Sequence, residues 1–268
     1  MPLVPMRKIL RAAHEQKYAV GGFNVFNFET LVAVIEVAEE TKSPVVIGLS
    51  ERLFHFVNAD LLAHAMVRAA EKAAVPVAVH LDHGQSYEGI MKAIRWGFSS
   101  VMYDGSKLPF EENAARLRNV SRIAHALDVS VEGEIGYGPE YDFDKIAELA
   151  ERTKIDALGL DTDLPHISIE FIGKADDRTG IPLVMHGGKR DRHNPAFYRP
   201  YIDAGVNKVN VATDMSSVAA RTLKTQLPQN ENANYITLMN EVKRAVKESV
   251  TKYMLAFGCV SKAVNNLK

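Results

Sequence analysis

Short apolar segments recur along this chain, each followed by an amphipathic stretch, and this alternation constrains the fold more than any other feature. Continuous apolar runs of this length are typical of strands that are buried on both faces of a parallel sheet. Eight such segments are predicted to be strands: Tyr18–Asn24, Pro44–Ser50, Pro76–Asp82, Ser99–Asp104, Val129–Glu134, Ile155–Leu160, Pro182–His186 and Val206–Val211.

The intervening stretches place apolar residues at helical spacing, which predicts a helix after each strand. A helix is also predicted within the first 16 residues, and others over Phe28–Thr41, Ala59–Ala73, Tyr87–Trp96, Phe110–Ala126, Phe143–Arg152, Ile167–Thr179, Pro195–Ala204, Met215–Thr225 and Tyr235–Ala256. Parallel strands need such crossover connections. We therefore expect an α/β fold, a (β/α)8 TIM barrel with an extra C-terminal helix, over a length of 268 residues that suits one barrel of about 250.

Three further features bear on the fold, the organisation and the location of the chain. The rival fold, an open doubly wound sheet, usually carries a glycine-rich phosphate loop after an early strand, and the sequence has none. No linker rich in proline, glycine or serine interrupts the chain, so we expect residues 1–268 to form a single domain. The first 16 residues lack the features of an export signal, which favours a cytoplasmic protein.

Charge and cysteine content narrow the partners and the metal chemistry. Lysine and arginine number 32 and aspartate and glutamate 33, so nothing in the charge predicts binding to nucleic acid or to a membrane. No run of about 18 apolar residues exists that would span a bilayer. The single cysteine, Cys259, excludes an intramolecular disulfide and a multi-cysteine metal site. A metal ion would therefore need histidine and carboxylate ligands.

Polar residues stand at the carboxyl end of every predicted strand, which is where (β/α)8 barrels build their active sites. His83, His166 and His186 stand at three different strand ends, and three neutral imidazoles on separate elements are a common way to hold a zinc-like ion. His80 alternates with Asp82 and is predicted to be buried beneath the site. The strand-end residues are Asn24, Ser50, Asp82, His83, Asp104, Glu134, Asp161, Asp163, His166, His186, Asn210 and Thr213.

The sequence is consistent with two roles for Asp82. Adjacent residues of a strand point to opposite sides, so Asp82 and His83 reach one site only if the strand ends between them. Asp82 would then be a carboxylate near the metal and available as an acid or base. The alternative is a cap for the helix that begins near Ser86.

Five motifs together resemble the class II, metal-dependent ketose-bisphosphate aldolases, which include fructose- and tagatose-bisphosphate aldolases. The resemblance runs from about Met1 to Lys262. The motifs are HLDHG at 80–84, VMYDGSKLPFEEN at 101–113, VEGEIG at 131–136, PLVMHGG at 182–188 and KVNVATD at 208–214.

The resemblance implies roles for individual residues. His83, His166 and His186 match the zinc ligands, and Asp104 and Glu134 match carboxylates that serve a second or alternate metal position. Asp82 matches the residue that exchanges a proton with the C4 hydroxyl of the sugar. Residues matching the phosphate- and substrate-binding turns are Gly187, Gly188, Asn210, Ala212 and Thr213, and Asn24 and Ser50 match polar residues of the pocket.

The implied reaction is reversible cleavage of a ketose phosphate to dihydroxyacetone phosphate and an aldehyde. One catalytic Zn²⁺ would stabilise the enediolate, with a second or a monovalent cation as a further option. The implied partner is a small sugar phosphate, and the implied assembly is a homodimer or homotetramer. A Schiff base on Lys208, a lysine well inside a strand, is the competing mechanism.

The chain departs from the family pattern in three places. The loop after Glu134 is short, and Glu140 is the best substitute there for the usual acid–base group, with Asp142 second. Ile167 follows His166, where the family has glycine. HGG is followed by Lys189, Arg190, Asp191, Arg192 and His193, a run that is either a solvated loop or a rebuilt anion site.

These departures keep a second function open. The alternative is a metal-binding, catalytically altered relative with a sugar-phosphate-binding or regulatory role.

Overall fold

The computed structural model of the chain describes residues 2–136, 143–164, 167–187, 195–229 and 234–263. Eight parallel strands pair in chain order, and β8 closes on β1 to complete a barrel. The predicted (β/α)8 fold is confirmed. The strands are β1 Val20–Asn24, β2 Val45–Ser50, β3 Val77–Gly84, β4 Ser100–Tyr103, β5 Ser130–Glu134, β6 Ala157–Asp161, β7 Leu183–His186 and β8 Val206–Val211.

Helices surround the barrel. They are α1 Met6–Gln16, α2 Phe28–Glu40, α3 Ala59–Lys72, α4 Tyr87–Trp96, α5 Phe110–Ala126, α6 Phe143–Thr153, α7 Ile169–Thr179, α8 Arg199–Asp203, α9 Thr213–Gln226 and α10 Tyr235–Phe257. None of the described helices is both long enough and apolar enough to cross a bilayer. The predicted C-terminal helix is confirmed as α10, which buries Val246, Val250 and Phe257 and packs on α2 and α9.

The helix predicted over Pro195–Ala204 is shorter than expected. A 3₁₀ turn over Pro195–Tyr198 precedes α8. Pro200 lacks an N–H and is tolerated only in the first turn of a helix, so α8 begins beside it at Arg199.

β3 explains how two adjacent residues can serve one site. The expectation that this strand ends at Asp82 is wrong, because β3 continues to Gly84. Its pairing with β4 shifts register between Leu81 and Gly84, and His83 has a φ of 47°, in the left-handed region. Such a bulge re-aims a side chain without ending the strand. Asp82 and His83 can therefore both reach the cavity at the carboxyl end of the barrel.

Three strands carry polar residues two positions apart, which places them in two successive layers of the barrel interior. We call the layer nearer the carboxyl end the upper layer and the one beneath it the lower layer. The upper layer contains Asp82, Glu134 and Asn210, and the lower layer contains His80, Glu132 and Lys208. All three lower-layer residues are buried, and Glu132 and Lys208 are fully inaccessible to solvent.

Candidate active site

A cavity of about 810 Å³ opens at the carboxyl ends of the strands. This volume is within the range of sites for small molecules, about 300–1,000 Å³. The cavity is lined by nine of the predicted site residues: Asn24, Ser50, Asp82, His83, His186, Gly187, Asn210, Ala212 and Thr213. The predicted residues Glu140, His166, Gly188, Lys189 and Arg190 lie outside the described residues.

Two overlapping groups of side chains could hold a metal ion. Ligand atoms of Asp82, His83 and His186 lie within 4.8 Å of one another, and those of His83, Asp104 and Glu134 do likewise. The rings of His83 and His186 are 5.0 Å apart. Buried Glu134 Oε2 has no hydrogen-bond partner among the described residues. Imidazole nitrogens and carboxylate oxygens are the donors that zinc-like ions take, so these residues fit such an ion.

Asp82 is held between two amides. Asn24 Nδ2 donates to one carboxylate oxygen at 2.8 Å, and Asn210 Nδ2 donates to the other at 2.9 Å. Burial opposes ionisation, but the charges of His83 and then His186 keep the pKa of Asp82 below its usual value. The alternative role as a helix cap is wrong, because Ser86 caps α4. Asp82 is thus an oriented, ionised carboxylate beside the metal donors.

His83 is fixed by a carboxylate behind it. Its Nδ1 lies 2.9 Å from Asp104 Oδ2, and Asp104 also accepts from the Ser106 hydroxyl at 2.6 Å. Since a carboxylate only accepts, His83 donates through Nδ1 and its Nε2 is left to face a ligand. Burial lowers the pKa of His83, but the Asp104 hydrogen bond and the charge of Asp82 outweigh it and raise the pKa to about 9.

Glu132 fixes His186 from below, and the sequence analysis did not predict it as a site residue. His186 Nε2 lies 2.7 Å from Glu132 Oε1, while Lys208 Nζ donates to Glu132 Oε2 at 2.7 Å. Because the carboxylate only accepts, His186 donates through Nε2, and Nδ1 is the nitrogen left to face a ligand. Burial opposes the charge of Glu132, but Lys208 and His186 hold its pKa well below the usual range.

Lys208 and His80 complete the lower layer. Lys208 Nζ lies 3.4 Å from His80 Nε2, and His80 Nδ1 lies 2.8 Å from the Ser100 hydroxyl. Burial, followed by the charge of Lys208, lowers the pKa of His80 to about 3, so His80 is neutral. The prediction that His80 is buried beneath the site is confirmed. Lys208 is paired with Glu132 beneath the cavity, which argues against a Schiff-base role.

The remaining described residues shape the ligand-binding surface. Gly187 has a φ of 83°, and a Cβ there would lie 2.5 Å from Asp161 Oδ1, so only glycine fits. Ser50 Oγ is buried with no hydrogen-bond partner among the described residues. Thr213 begins α9 at the cavity wall, and free N–H groups at a helix N-terminus suit a phosphate.

Comparison with known sequences gives matches over nearly the whole chain. Residues 4–262 match the sequence profile of the family described as "Fructose-bisphosphate aldolase class-II". A Bacillus subtilis protein named "Probable fructose-bisphosphate aldolase" is 38% identical over 290 residues, which cover 98% of this chain and 100% of that protein. The fructose-bisphosphate aldolase of Geobacillus stearothermophilus is 36% identical, covering 98% of this chain and 99% of that one.

Comparison with solved structures also gives a match over nearly the whole chain. The crystal structure of the YdjI aldolase from Escherichia coli K12 superposes with a TM-score of 0.89 at 34% sequence identity. The match covers 97% of this chain and 99% of that one.

Proposed function

Because this chain belongs to the class II fructose-bisphosphate aldolase family of lyases, we propose that it reversibly cleaves a ketose phosphate with the help of a bound Zn²⁺. The products would be dihydroxyacetone phosphate and an aldehyde. One observation carries the proposal: an ionised carboxylate, Asp82, is held by two amides in the same cavity as the imidazoles of His83 and His186.

The metal would be held by His83 and His186, with His166 proposed as the third ligand and Asp104 and Glu134 as a second or alternate position. When bound, a zinc ion supplies Lewis acidity that draws electrons from the ketose carbonyl and lowers the energy of the negative charge beside it. Glu132 and Asp104 would hold the two described imidazoles with their lone pairs toward that ion.

Asp82 would carry the first proton transfer. It takes the proton of the C4 hydroxyl, the C3–C4 bond breaks with its electron pair left on C3, and C4 becomes the aldehyde carbonyl. A second acid must then return a proton to C3, and we propose Glu140 for that role. Asn24 and Asn210 would keep the Asp82 carboxylate in place by donating to both of its oxygens.

The phosphate would bind where strand ends meet helix starts. We propose that Gly187, Gly188, Asn210, Ala212 and Thr213 form this site, with backbone N–H groups as donors. Lys189 and Arg190 are proposed to add cationic contacts, and Ser50 to bind a sugar hydroxyl. A homodimer or homotetramer in the cytoplasm stays a prediction.

An aldol-cleavage assay tests the proposed function. The zinc-loaded protein would be given ketose 1-phosphates and bisphosphates that differ in C4 configuration and in the group at the far end. We expect dihydroxyacetone phosphate from at least one of them, and poorer cleavage of fructose 1,6-bisphosphate than of the best substrate. Zinc binding without cleavage of any ketose phosphate would instead favour a catalytically altered sugar-phosphate-binding protein.

A further inference from the structure

The motif at 101–113 ends in a buried residue that the proposed function does not use. Asn113 stands in the first turn of α5, and none of its surface is accessible to solvent. Its Nδ2 donates to the backbone carbonyl of Glu134, at the carboxyl end of β5, at 3.0 Å. Its backbone N–H donates to the carbonyl of Pro109 at 2.9 Å, which fixes the turn that carries it. A helix outside the barrel thus holds a strand end of the site.

The same side chain interlocks with the loop that follows β4. A Cβ at Gly105 would lie 2.0 Å from Asn113 Oδ1, so Asn113 occupies the space that any larger residue at position 105 would need. Ser106, the next residue of this loop, donates its hydroxyl to Asp104 at 2.6 Å. Asn113 therefore packs against the turn that presents Asp104 and bonds to the strand end that presents Glu134.

Pairing between β4 and β5 does not fix the separation of these two carboxylates. The register of the two strands ends at the pair Tyr103 and Gly133. Asp104 and Glu134 are the next residue along each chain segment, just beyond that pair. Asn113 contacts both segments at this point, so it supplies the connection that the strand pairing no longer gives.

Packing alone does not explain an asparagine at position 113. Asn113 Oδ1 is buried and has no hydrogen-bond partner in the described part of the chain. A buried acceptor without a partner destabilises a protein, and an apolar side chain of the same shape would avoid that penalty. Leucine has this shape, but it cannot donate to the Glu134 carbonyl. The amide is explained by the one side-chain hydrogen bond that it makes.

We propose that Asn113 is a positioning residue that sets the separation of Asp104 and Glu134 at the metal-binding cavity. These two carboxylates and His83 form one of the two groups that could hold a metal ion, and His83 belongs to both groups. A change in the separation should therefore alter metal binding whichever group holds the ion. The inference rests on the proposed function for the identity of that ion.

Zinc affinity, measured with a competing chelator, tests this without turnover. Asn113→Leu keeps the shape of the side chain but removes both the donor to Glu134 and the unpaired oxygen. We expect zinc binding to weaken by about 10–100-fold, as it does when an outer partner of a metal ligand is lost. The melting temperature of the metal-free protein should stay near that of the parent. The visible absorption spectrum of bound Co²⁺ should change, because its oxygen ligands shift.

A second variant and a control complete the test. Asn113→Ala also lacks the donor, so it should weaken zinc binding to a similar extent, and it replaces the leucine variant if that one fails to fold. Ser121→Ala is the matched control. Ser121 lies about two turns further along α5, is buried, and has an Oγ without a hydrogen-bond partner among the described residues. Its loss should change neither the zinc affinity nor the Co²⁺ spectrum.

The outcomes separate this inference from the proposed function. The inference is overturned if the folded Asn113 variants bind zinc as tightly as the parent, or if Ser121→Ala weakens zinc binding as much as they do. If the parent cleaves no ketose phosphate but its zinc affinity depends on Asn113, the lyase proposal fails and the positioning role stands. A parent that binds neither zinc nor Co²⁺ contradicts both.

Discussion

The barrel contains charged side chains in two settings that differ in how their charge is satisfied. In the lower layer, the Glu132 carboxylate is bonded to both Lys208 and His186, away from solvent. At the cavity mouth, the Arg52 guanidinium is exposed and joined to no described residue by a hydrogen bond or ion pair. A buried charge without a partner costs several kcal/mol, whereas an exposed one costs little.

This contrast separates support from recognition. The lower layer can only position what stands above it, because its donors and acceptors are already used. The cavity mouth can bind a ligand because the Arg52 guanidinium is exposed and has no hydrogen-bond or ion-pair partner among the described residues. Changes to the upper layer, to the lower layer and to the cavity mouth should therefore have different effects. Each should give its own combination of lost turnover, lost metal, lost stability and lost substrate affinity.

Metal removal should have the largest effect on turnover. Chelation should abolish aldol cleavage, and zinc, cobalt or manganese should restore it, because the remaining groups cannot stabilise the charge on C3. The far-ultraviolet circular dichroism spectrum should stay unchanged, since the lower layer is paired without the ion. Cleavage that survives chelation, or a lysine adduct trapped by borohydride with substrate, would contradict the zinc mechanism.

The substitution Asp82→Asn should have the second-largest effect on turnover. It keeps the shape of the side chain but removes the proton acceptor, so turnover should fall by about 10²–10⁴-fold, the usual contribution of a general base. Zinc content, measured by atomic emission, should stay near one ion per chain. Asp163→Asn, in the same cavity lining, is the matched control and should retain most activity. Loss of zinc from Asp82→Asn would make Asp82 a ligand.

The fold was predictable because each strand is buried on both faces and therefore appears as a continuous apolar run. The predicted and observed bounds of β2, β3 and β5 differ by no more than two residues at either end. The continuation of β3 through His83 was not predictable, because a bulge depends on pairing with β4 and not on local residue preference.

The upper layer of the site was predictable from strand ends, but its support was not recognised. Glu132 stands two residues before Glu134, just as Lys208 stands two before Asn210. The two-residue period that predicted a buried His80 below Asp82 applies equally to these two pairs. The place of Arg52 in the cavity lining gave no such signal, because the cavity forms only when distant strand ends meet.

Glu132→Gln and Glu134→Gln compare the two layers directly. Glutamine at position 132 leaves the buried ammonium of Lys208 without its counter-charge, so the free energy of unfolding should fall by about 3–5 kcal/mol. Zinc affinity should fall by about 10–100-fold because His186 loses its orienting carboxylate. Chemical denaturation and zinc titration with a competing chelator measure the two effects.

Glu134→Gln should behave differently. Burial, and then the nearby charge of Asp104, raise the pKa of Glu134 well above its usual value, so the neutral amide resembles the metal-free state. Stability of the metal-free protein should therefore be unchanged or slightly higher, while zinc binding weakens. Equal destabilisation by the two substitutions would remove the distinction between the layers.

A change of pH should affect zinc binding less than these substitutions do, and the effect should grow steadily with pH. In the metal-free protein, His83 has a pKa raised to about 9 and so keeps a second proton at neutral pH. That proton must leave before the imidazole can bind a metal. Zinc affinity should thus rise by roughly tenfold per pH unit between about 6 and 8, and calorimetry in buffers of different ionisation enthalpy should detect the released proton. A pH-independent affinity would show that His83 is already neutral.

Glu51→Ala should have the smallest effect, and it sharpens the interpretation of the cavity mouth. Glu51 does not contact the cavity, but it ties the loop of Arg52 to the N-terminus of α4. Losing this tie should cost about 1 kcal/mol, as for a helix cap, and some of that loss should appear as a rise in KM of up to about fivefold for the best ketose phosphate substrate. The value of kcat should hold, because Asp82 and the metal donors stay in place. Glu88→Ala is the matched control: it removes an acidic residue from the first turn of α4 that pairs with Lys92 instead. If Glu88→Ala raises KM as much, the effect comes from α4 and not from the position of Arg52.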